Sequence, residues 1–176
     1  MKKVLILHGW HGSDMPHWQA WLAQELVLRD TIVAFPQLRD AHAPQKEVWV
    51  RQALDAFKAL SPDVVVCHSL GSILWLHLCA HLETHVPKLL LVAPPRDHSD
   101  TPEVATFFPT PLPLDLHAHE ALMVVSNSDP YMSIEESHTL AKALDIPLEI
   151  LHEAGHINTA AGFGAWEWAL EWVLAK

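Results

Sequence analysis

Ser69 follows the strand-like run Val64 to Cys67, which begins with three β-branched valines, and it precedes an apolar segment over residues 70–82. The first run is typical of a buried strand and the second of a buried helix. A strand that turns into a helix at a serine with small neighbours predicts a nucleophile elbow, which holds the hydroxyl above the end of a sheet. Gly71 fits the G-x-S-x-G pattern, and Cys67 replaces its first glycine. The pattern also fits a serine that only caps a helix.

Strand-like and helix-like segments alternate along the chain. The predicted strands cover residues 4–7, 31–35, 64–67, 89–92, 122–125 and 148–151, and the predicted helices cover residues 16–26, 45–60, 70–82, 134–144 and 165–174. This alternation predicts an α/β fold, and right-handed crossovers place helices on both faces of the sheet. We therefore expect a three-layer α/β/α sandwich with a mostly parallel six-stranded sheet, in a single domain over residues 1–176.

Residues 94–120 break the alternation with a cluster of prolines. We expect an irregular excursion from the top of the fourth strand. It either covers a site as a lid, with Phe107 and Phe108 as an apolar wall, or forms an ordered surface loop.

The composition excludes several kinds of partner. The formal net charge is -10 at pH 7, which repels nucleic acid and acidic membrane surfaces. No apolar run reaches the roughly 18 residues of a membrane span, and the run after Met1 is too short for a signal peptide. The two cysteines, Cys67 and Cys79, lie in no metal or redox motif. Free thiols and a cytoplasmic location are therefore expected.

Polar residues follow three predicted strands at their carboxyl ends, where open α/β sheets bind their ligands. Ser69 follows the third strand, Asp129 the fifth and His156 the sixth. A serine hydroxyl needs a histidine to accept its proton and an acid to orient that histidine. The chain order serine, acid, histidine is the order found in α/β-hydrolases.

Other residues compete for two of these positions. Asp129 precedes a proline and also fits a simple turn. Asp115, in the excursion, and Asp145, at a helix end, are weaker alternatives for the acid. His138, on a helix, and His152, at a strand end, are weaker alternatives for the base.

Two backbone N–H groups are candidates to stabilise an oxyanion. One belongs to Leu70, directly after the serine, and the other to Trp10, in the loop 8–12 after the first strand. Gly9 and Gly12 would let this loop approach closely. The alternative is a glycine-rich turn shaped only by packing. The loop lacks the G-x-G-x-x-G spacing of a dinucleotide site.

The 14 histidines raise the alternative of a metal centre. His77, His81 and His85 follow one another at helical spacing, and His117 and His119 form another pair. Neither H-E-x-x-H nor a Cys/His knuckle is present. We therefore predict no metal and no cofactor.

The chain resembles the small serine hydrolases of the YdeN and retinoblastoma-binding-protein-nine type, within the α/β-hydrolase superfamily, over nearly its whole length. The matching residues are His8-Gly9-Trp10, Trp18, Trp21-Leu22, His68-Ser69-Leu70-Gly71, Ala93-Pro94, Asp129-Pro130-Tyr131 and Gly155-His156-Ile157-Asn158. The resemblance implies a triad of Ser69, Asp129 and His156 in an α/β-hydrolase fold without a large cap domain. One branch of this group is ascribed a partner-binding role.

These observations predict an esterase-like serine hydrolase (EC 3.1) that cleaves a small ester, thioester or amide through an acyl-enzyme. The expected partner is a small-molecule acyl substrate, without nucleic acid or membrane; the sequence does not indicate a protein partner. The alternative is a protein-interaction module on a hydrolase fold, with incidental hydrolytic activity.

Overall fold

A computed structural model describes residues 1–175. Its strands are β1 (Lys3–Leu7), β2 (Ile32–Ala34), β3 (Val64–His68), β4 (Val86–Val92), β5 (Ala118–Ser126) and β6 (Leu148–Leu151). Its helices are α1 (Trp18–Val27), α2 (Lys46–Leu60), α3 (Leu70–Leu78), α4 (Ile134–Leu144) and α5 (Glu167–Leu174). Single 3-10 turns lie at Cys79–His81, Ala105–Phe107 and Thr159–Ala161.

The six strands form one sheet in the order β2-β1-β3-β4-β5-β6. Every neighbouring pair is parallel, so the sheet is wholly parallel rather than mostly parallel. The chain moves outward from β1 to β2 and then returns to the other side of β1 at β3. This reversal is the switch point where open α/β sheets bind ligands.

Alternate residues of each strand face two separate cores, as the two-residue period of a strand requires. Leu5 and Leu7 pack in a core to which α2, α3 and α4 contribute. Val4 and Ile6 pack in a core to which α1 and α5 contribute. Helices therefore cover both faces of the sheet, which confirms the predicted three-layer α/β/α sandwich.

The apolar pattern of α2 predicts that Val48, Leu54, Phe57 and Leu60 face inward, and the stripe that is buried shares only Phe57 with this set. Trp49, Ala53 and Phe57 are its buried residues, each one turn from the next. Val48 and Leu54, which the apolar pattern directed inward, are only partly buried. The stripe follows Trp49 because the large indole packs against Phe107 and donates from Nε1 to the carbonyl oxygen of Arg39.

Several predicted element ends are wrong. The helix predicted over 70–82 ends as an α-helix at Leu78 and continues as a 3-10 turn, while α5 begins at Glu167 rather than at residue 165. Strands β4 and β5 both start earlier than predicted, because Val86 pairs with Ala118. Their first residues include charged side chains, so apolar runs mark only the inner parts of these strands.

The excursion runs from Ala93 to His117, because β5 already begins at residue 118 rather than after residue 120. It is irregular except for its 3-10 turn. Phe107 is fully buried in the core and does not line the cavity described below, which corrects half of the predicted apolar wall. Phe108 does line that cavity.

Within residues 1–175, no helix has both the length and the apolar composition needed to cross a bilayer. Cys67 and Cys79 are free and buried.

Candidate active site

Ser69 occupies a sharp turn between β3 and α3. Its backbone lies at φ 53° and ψ −126°, a conformation that a residue other than glycine rarely adopts. The turn is held on one side by the Ser69 N–H, which donates to the carbonyl oxygen of Val92 at 2.8 Å. The helix passes so close to β1 that a Cβ on Gly71 would lie 2.4 Å from the carbonyl oxygen of Leu7. This is the geometry of a nucleophile elbow.

Cys67 fits this elbow without distorting it. The residue is fully buried and pairs in regular parallel register with Leu7 on one side and Leu91 on the other. Its side chain therefore packs as an ordinary strand residue in the core shared with α2 and α3. Burial raises the pKa of its thiol well above the usual value, so the thiol stays protonated and poorly nucleophilic.

The loop after β1 lies directly against the serine. A Cβ on Gly9 would fall 2.8 Å from the Cβ of Ser69, so only glycine allows this approach. The loop thereby brings Trp10 to the same cavity as Ser69 and Leu70. The two backbone N–H groups predicted as oxyanion donors thus belong to residues on the rim of one site.

Ser69, His156 and Asp129 form a continuous hydrogen-bond chain. The Nε2 atom of His156 lies 2.8 Å from the Oγ atom of Ser69. The Nδ1 atom of His156 lies 2.9 Å and 3.1 Å from the two carboxylate oxygens of Asp129. Because a carboxylate only accepts, Nδ1 carries the proton, and Nε2 is free to accept from the serine hydroxyl. The three side chains stand in the order that a Ser-His-Asp triad requires.

The surroundings shield the acid and the base from solvent and hold them in place. The side chains of Asp129 and His156 are only 2% and 10% exposed. The carboxylate also accepts the backbone N–H of Tyr131 at 2.8 Å, and the Tyr131 ring packs edge-on against His156 with 4.5 Å between the ring centroids. Low exposure strengthens the attraction between the carboxylate and an imidazolium that forms next to it.

The loops after β5 and β6 are fastened together by a clasp of three hydrogen bonds. Three successive side-chain oxygens of one loop accept three successive backbone N–H groups of the other. The pairs are Ser126 Oγ with Ala154 at 2.9 Å, Asn127 Oδ1 with Glu153 at 2.7 Å, and Ser128 Oγ with Gly155 at 3.0 Å. The clasp fixes the loop that carries Asp129 relative to the loop that carries His156.

Two buried rings hold the other side of the histidine loop. The Nε2–H group of His68 donates to the carbonyl oxygen of His156 at 3.0 Å. The indole N–H of Trp18 donates to the carbonyl oxygen of Ile157 at 2.9 Å. The backbone around His156 is therefore held from both sides, so its imidazole cannot easily turn away from Ser69.

Buried, uncharged histidines surround the imidazole of His156. Burial lowers the pKa of His68 well below the usual value, and a positive charge on His156 would lower it further. The pKa of His17, whose ring lies 4.9 Å from that of His68, is lowered to about 4 by burial and then by His156. Both rings are neutral at neutral pH, so neither repels an imidazolium at position 156.

The site opens into a cavity of about 510 Å³. The excursion forms one wall, the loop after β1 forms another and the segment after His156 forms a third. Its lining residues are Trp10, His11, Gly12, His17, His68, Ser69, Leu70, Pro95, His98, Thr101, Val104, Phe108, Tyr131, His156, Asn158, Thr159 and Ala160. The cavity admits a small organic group to the serine hydroxyl.

The rival residues lie elsewhere. Asp115 bonds to His85, and Asp145 caps the end of α4. His138 is exposed on α4, and His152 is exposed beside Glu153. None of these residues lines the cavity.

Sequence reasoning missed the groups that hold His156 in place. The loop that carries Asp129 also contains Ser126, Asn127 and Ser128. Its polar composition was a visible signal in the sequence for their role. His68 and Trp18 are among the residues that carry the family resemblance, but their role had no signal, because a buried ring that donates to a distant carbonyl leaves no spacing pattern.

The parallel sheet, the elbow and the hydrogen-bonded serine, histidine and aspartate together define a hydrolase of the α/β type. A model of the family described as "Serine hydrolase" matches residues 4–175. The chain therefore belongs to the serine hydrolase family, which confirms the resemblance drawn from its motifs. No curated protein matches the chain in sequence.

Solved structures share the fold. The ydeN gene product of B. subtilis superposes with a TM-score of 0.82 at 21% identity, over 98% of this chain and 97% of that chain. A YdeN-like hydrolase of Pectobacterium atrosepticum gives 0.81 at 24% identity, over 98% and 89%. A metagenome-derived lipolytic enzyme gives 0.71 at 18% identity, over 98% and 91%. At these identities the likeness concerns the fold, and it extends over almost the whole of each chain.

Proposed function

We propose that this hydrolase cleaves a small ester, thioester or amide through an acyl-enzyme formed on Ser69. One observation carries the proposal: the unbroken hydrogen-bond chain from Asp129 through His156 to the Ser69 hydroxyl. In this mechanism His156 takes the serine proton as Oγ attacks the substrate carbonyl. The same histidine then gives that proton to the leaving group, and water repeats the sequence to release the acid.

The two backbone N–H groups of Leu70 and Trp10 are proposed to bind the oxyanion of the tetrahedral intermediate. Leu70 supports this role because it is the first residue of α3, where backbone N–H groups have no partner within the helix. Trp10 supports it because its loop is pressed against the serine at Gly9. Donors fixed before the reaction stabilise developing charge at little reorganisation cost.

An ester substrate of modest size is favoured by the cavity. Leu70, Val104 and Phe108 offer apolar surface beside the serine, which suits a short acyl chain. The fold is shared with an enzyme described as lipolytic, which supports an esterase-like activity.

A fluorophosphonate probe tests the proposal, because it reacts only with an activated serine. We expect the probe to modify Ser69 in the wild type, and we expect the wild type to hydrolyse short p-nitrophenyl esters. Ser69→Ala should abolish both and leave the circular dichroism spectrum unchanged. Labelling or turnover that persists in this variant would contradict the assignment.

A further inference from the structure

A second cluster of chemically active side chains lies at the opposite edge of the sheet from Ser69. His85 directly precedes β4, while Asp115 and His117 precede β5. The two strands begin side by side, because Val86 pairs with Ala118. The cluster therefore sits at the amino ends of the strands, whereas the residues of the candidate active site follow their carboxyl ends.

The side chains of this cluster lie close together, with 5.0 Å between the ring centroids of His85 and His117. The Oδ2 atom of Asp115 lies 2.8 Å from the Nε2 atom of His85, and its Oδ1 atom accepts the backbone N–H of His117 at 2.7 Å. One ligand atom from each of the three residues lies within 4.8 Å of the others. The ring of His119 stacks on that of His85, with 5.3 Å between the centroids.

One nitrogen in the cluster has no partner of its own. In the part of the chain that the structure describes, the Nδ1 atom of His117 is buried and makes no hydrogen bond. A buried polar atom without a partner is costly in free energy. Such atoms are therefore rare in folded proteins, and a bound metal ion is one partner that would satisfy this nitrogen.

The donor set suits a divalent transition metal. Imidazole nitrogen and carboxylate oxygen bind Zn²⁺ at about 2.0–2.2 Å, which places two ligand atoms of a tetrahedral ion roughly 3.3 Å apart. The hydrogen-bonded pair of His85 and Asp115 is only slightly closer than this. An ion could therefore replace the proton between His85 and Asp115 if these two ligand atoms moved slightly apart. The side chains of His85 and Asp115 are 37% and 51% exposed, so an ion can enter from solvent.

We propose that His85, Asp115 and His117 form a binding site for a divalent transition metal ion such as Zn²⁺, with the imidazole of His119 stacked against that of His85. The ion would link the last residues of the excursion, just before β5, to the residue just before β4. Its role is structural, because the site and Ser69 lie at opposite edges of the sheet. Spacing motifs in the sequence could not reveal this site, because its ligands come from two separate segments.

Zinc chloride titrated into the metal-stripped full-length protein tests this site. We expect the wild type to bind one Zn²⁺ per chain by isothermal titration calorimetry and its Tm to rise with zinc, since a ligand that binds only the folded state stabilises it. His85→Ala and His117→Ala should each lose the zinc-dependent rise. His138→Ala, which removes an exposed histidine on α4, should behave as the wild type does.

Two further variants make the result decisive. His156→Ala should keep zinc binding, because this imidazole belongs to the other edge. His85→Gln changes a side chain on the surface and should lose zinc binding even if His117→Ala fails to fold. The proposal is wrong if the wild type binds no zinc, if the His85 variants bind it as the wild type does, or if binding disappears with His156.

Discussion

At the level of single residues, His156 is the most constrained side chain of the site. Both of its ring nitrogens are engaged, Nδ1 by Asp129 and Nε2 by Ser69. Its carbonyl oxygen accepts the ring N–H of His68. The imidazole thus has one tautomer and one orientation available to it, which is the arrangement a general base needs before substrate arrives.

His17 makes the stability of the fold depend on acid. Its folded-state pKa is about 4, mainly because of burial, whereas the pKa of a free histidine is 6.5. Below pH 6.5 the imidazole of His17 is therefore protonated in the unfolded chain, whereas it stays neutral in the folded chain until the pH approaches 4. The contribution of neutral His17 to the free energy of unfolding is complete above pH 6.5. It is lost as the pH falls toward 4, and the loss is on the order of 3 kcal/mol.

Urea unfolding at several pH values measures this effect when wild type and His17→Asn are compared. Asparagine keeps the helix cap that His17 now supplies through its bond to the N–H of Gln19, but it does not titrate. Between pH 6.5 and 4 the wild type should lose more unfolding free energy than the variant. Two parallel curves would show that His17 does not contribute.

The residues that react were predictable from the sequence, and those that support them were only partly so. Ser69, Asp129 and His156 follow strands in a fixed order, and that order is visible in one sequence. His17 could not be recognised because its depressed pKa comes from burial under distant parts of the chain. No local pattern encodes that burial.

At the level of elements, the clasp between the loops after β5 and β6 sets the spacing of acid and base. Ser128 is the member nearest the chemistry, because its Oγ atom accepts the N–H of Gly155, next to His156. Removing this acceptor would free the histidine loop to drift by a fraction of an ångström. Small misplacements of a catalytic group are costly in rate.

Ser128→Ala is therefore expected to lower kcat by about tenfold with little change in KM. Its unfolding free energy should fall by only about 1 kcal/mol. Ser128→Thr, which keeps the hydroxyl, should restore most of the rate. Thr139→Ala, which removes an exposed hydroxyl on α4, serves as a control. Equal loss of rate in the alanine and threonine variants would show that the hydroxyl of Ser128 does not position His156.

Element types were predictable because each strand contains an apolar run. The ends of β4 and β5 were not, because the charged residues Lys88 and Glu120 lie within the paired region. Lys88 is nevertheless buried, and its Nζ atom donates to the carbonyl oxygen of Trp172. In the sequence alone, a lysine whose ammonium group donates to a distant helix cannot be distinguished from a residue at a strand boundary.

At the level of the whole molecule, the direction of the parallel strands separates the candidate active site from the proposed metal site. The carboxyl edge of the sheet collects Ser69, Asp129 and His156 from β3, β5 and β6. Its amino edge collects the proposed metal ligands. Removing metal with EDTA should therefore leave ester hydrolysis unchanged.

The layered architecture followed from alternation in the sequence, whereas the path of the excursion depends on packing that no short pattern encodes.

The central claim is that His156 activates Ser69, and the rate of fluorophosphonate labelling measures this most directly. The wild type, His156→Ala and His152→Ala should be compared, since His152 is an exposed histidine four residues away. We predict that labelling of Ser69 falls by a factor of about 10⁴ or more in His156→Ala and does not change in His152→Ala. Labelling of His156→Ala at the wild-type rate would contradict the account.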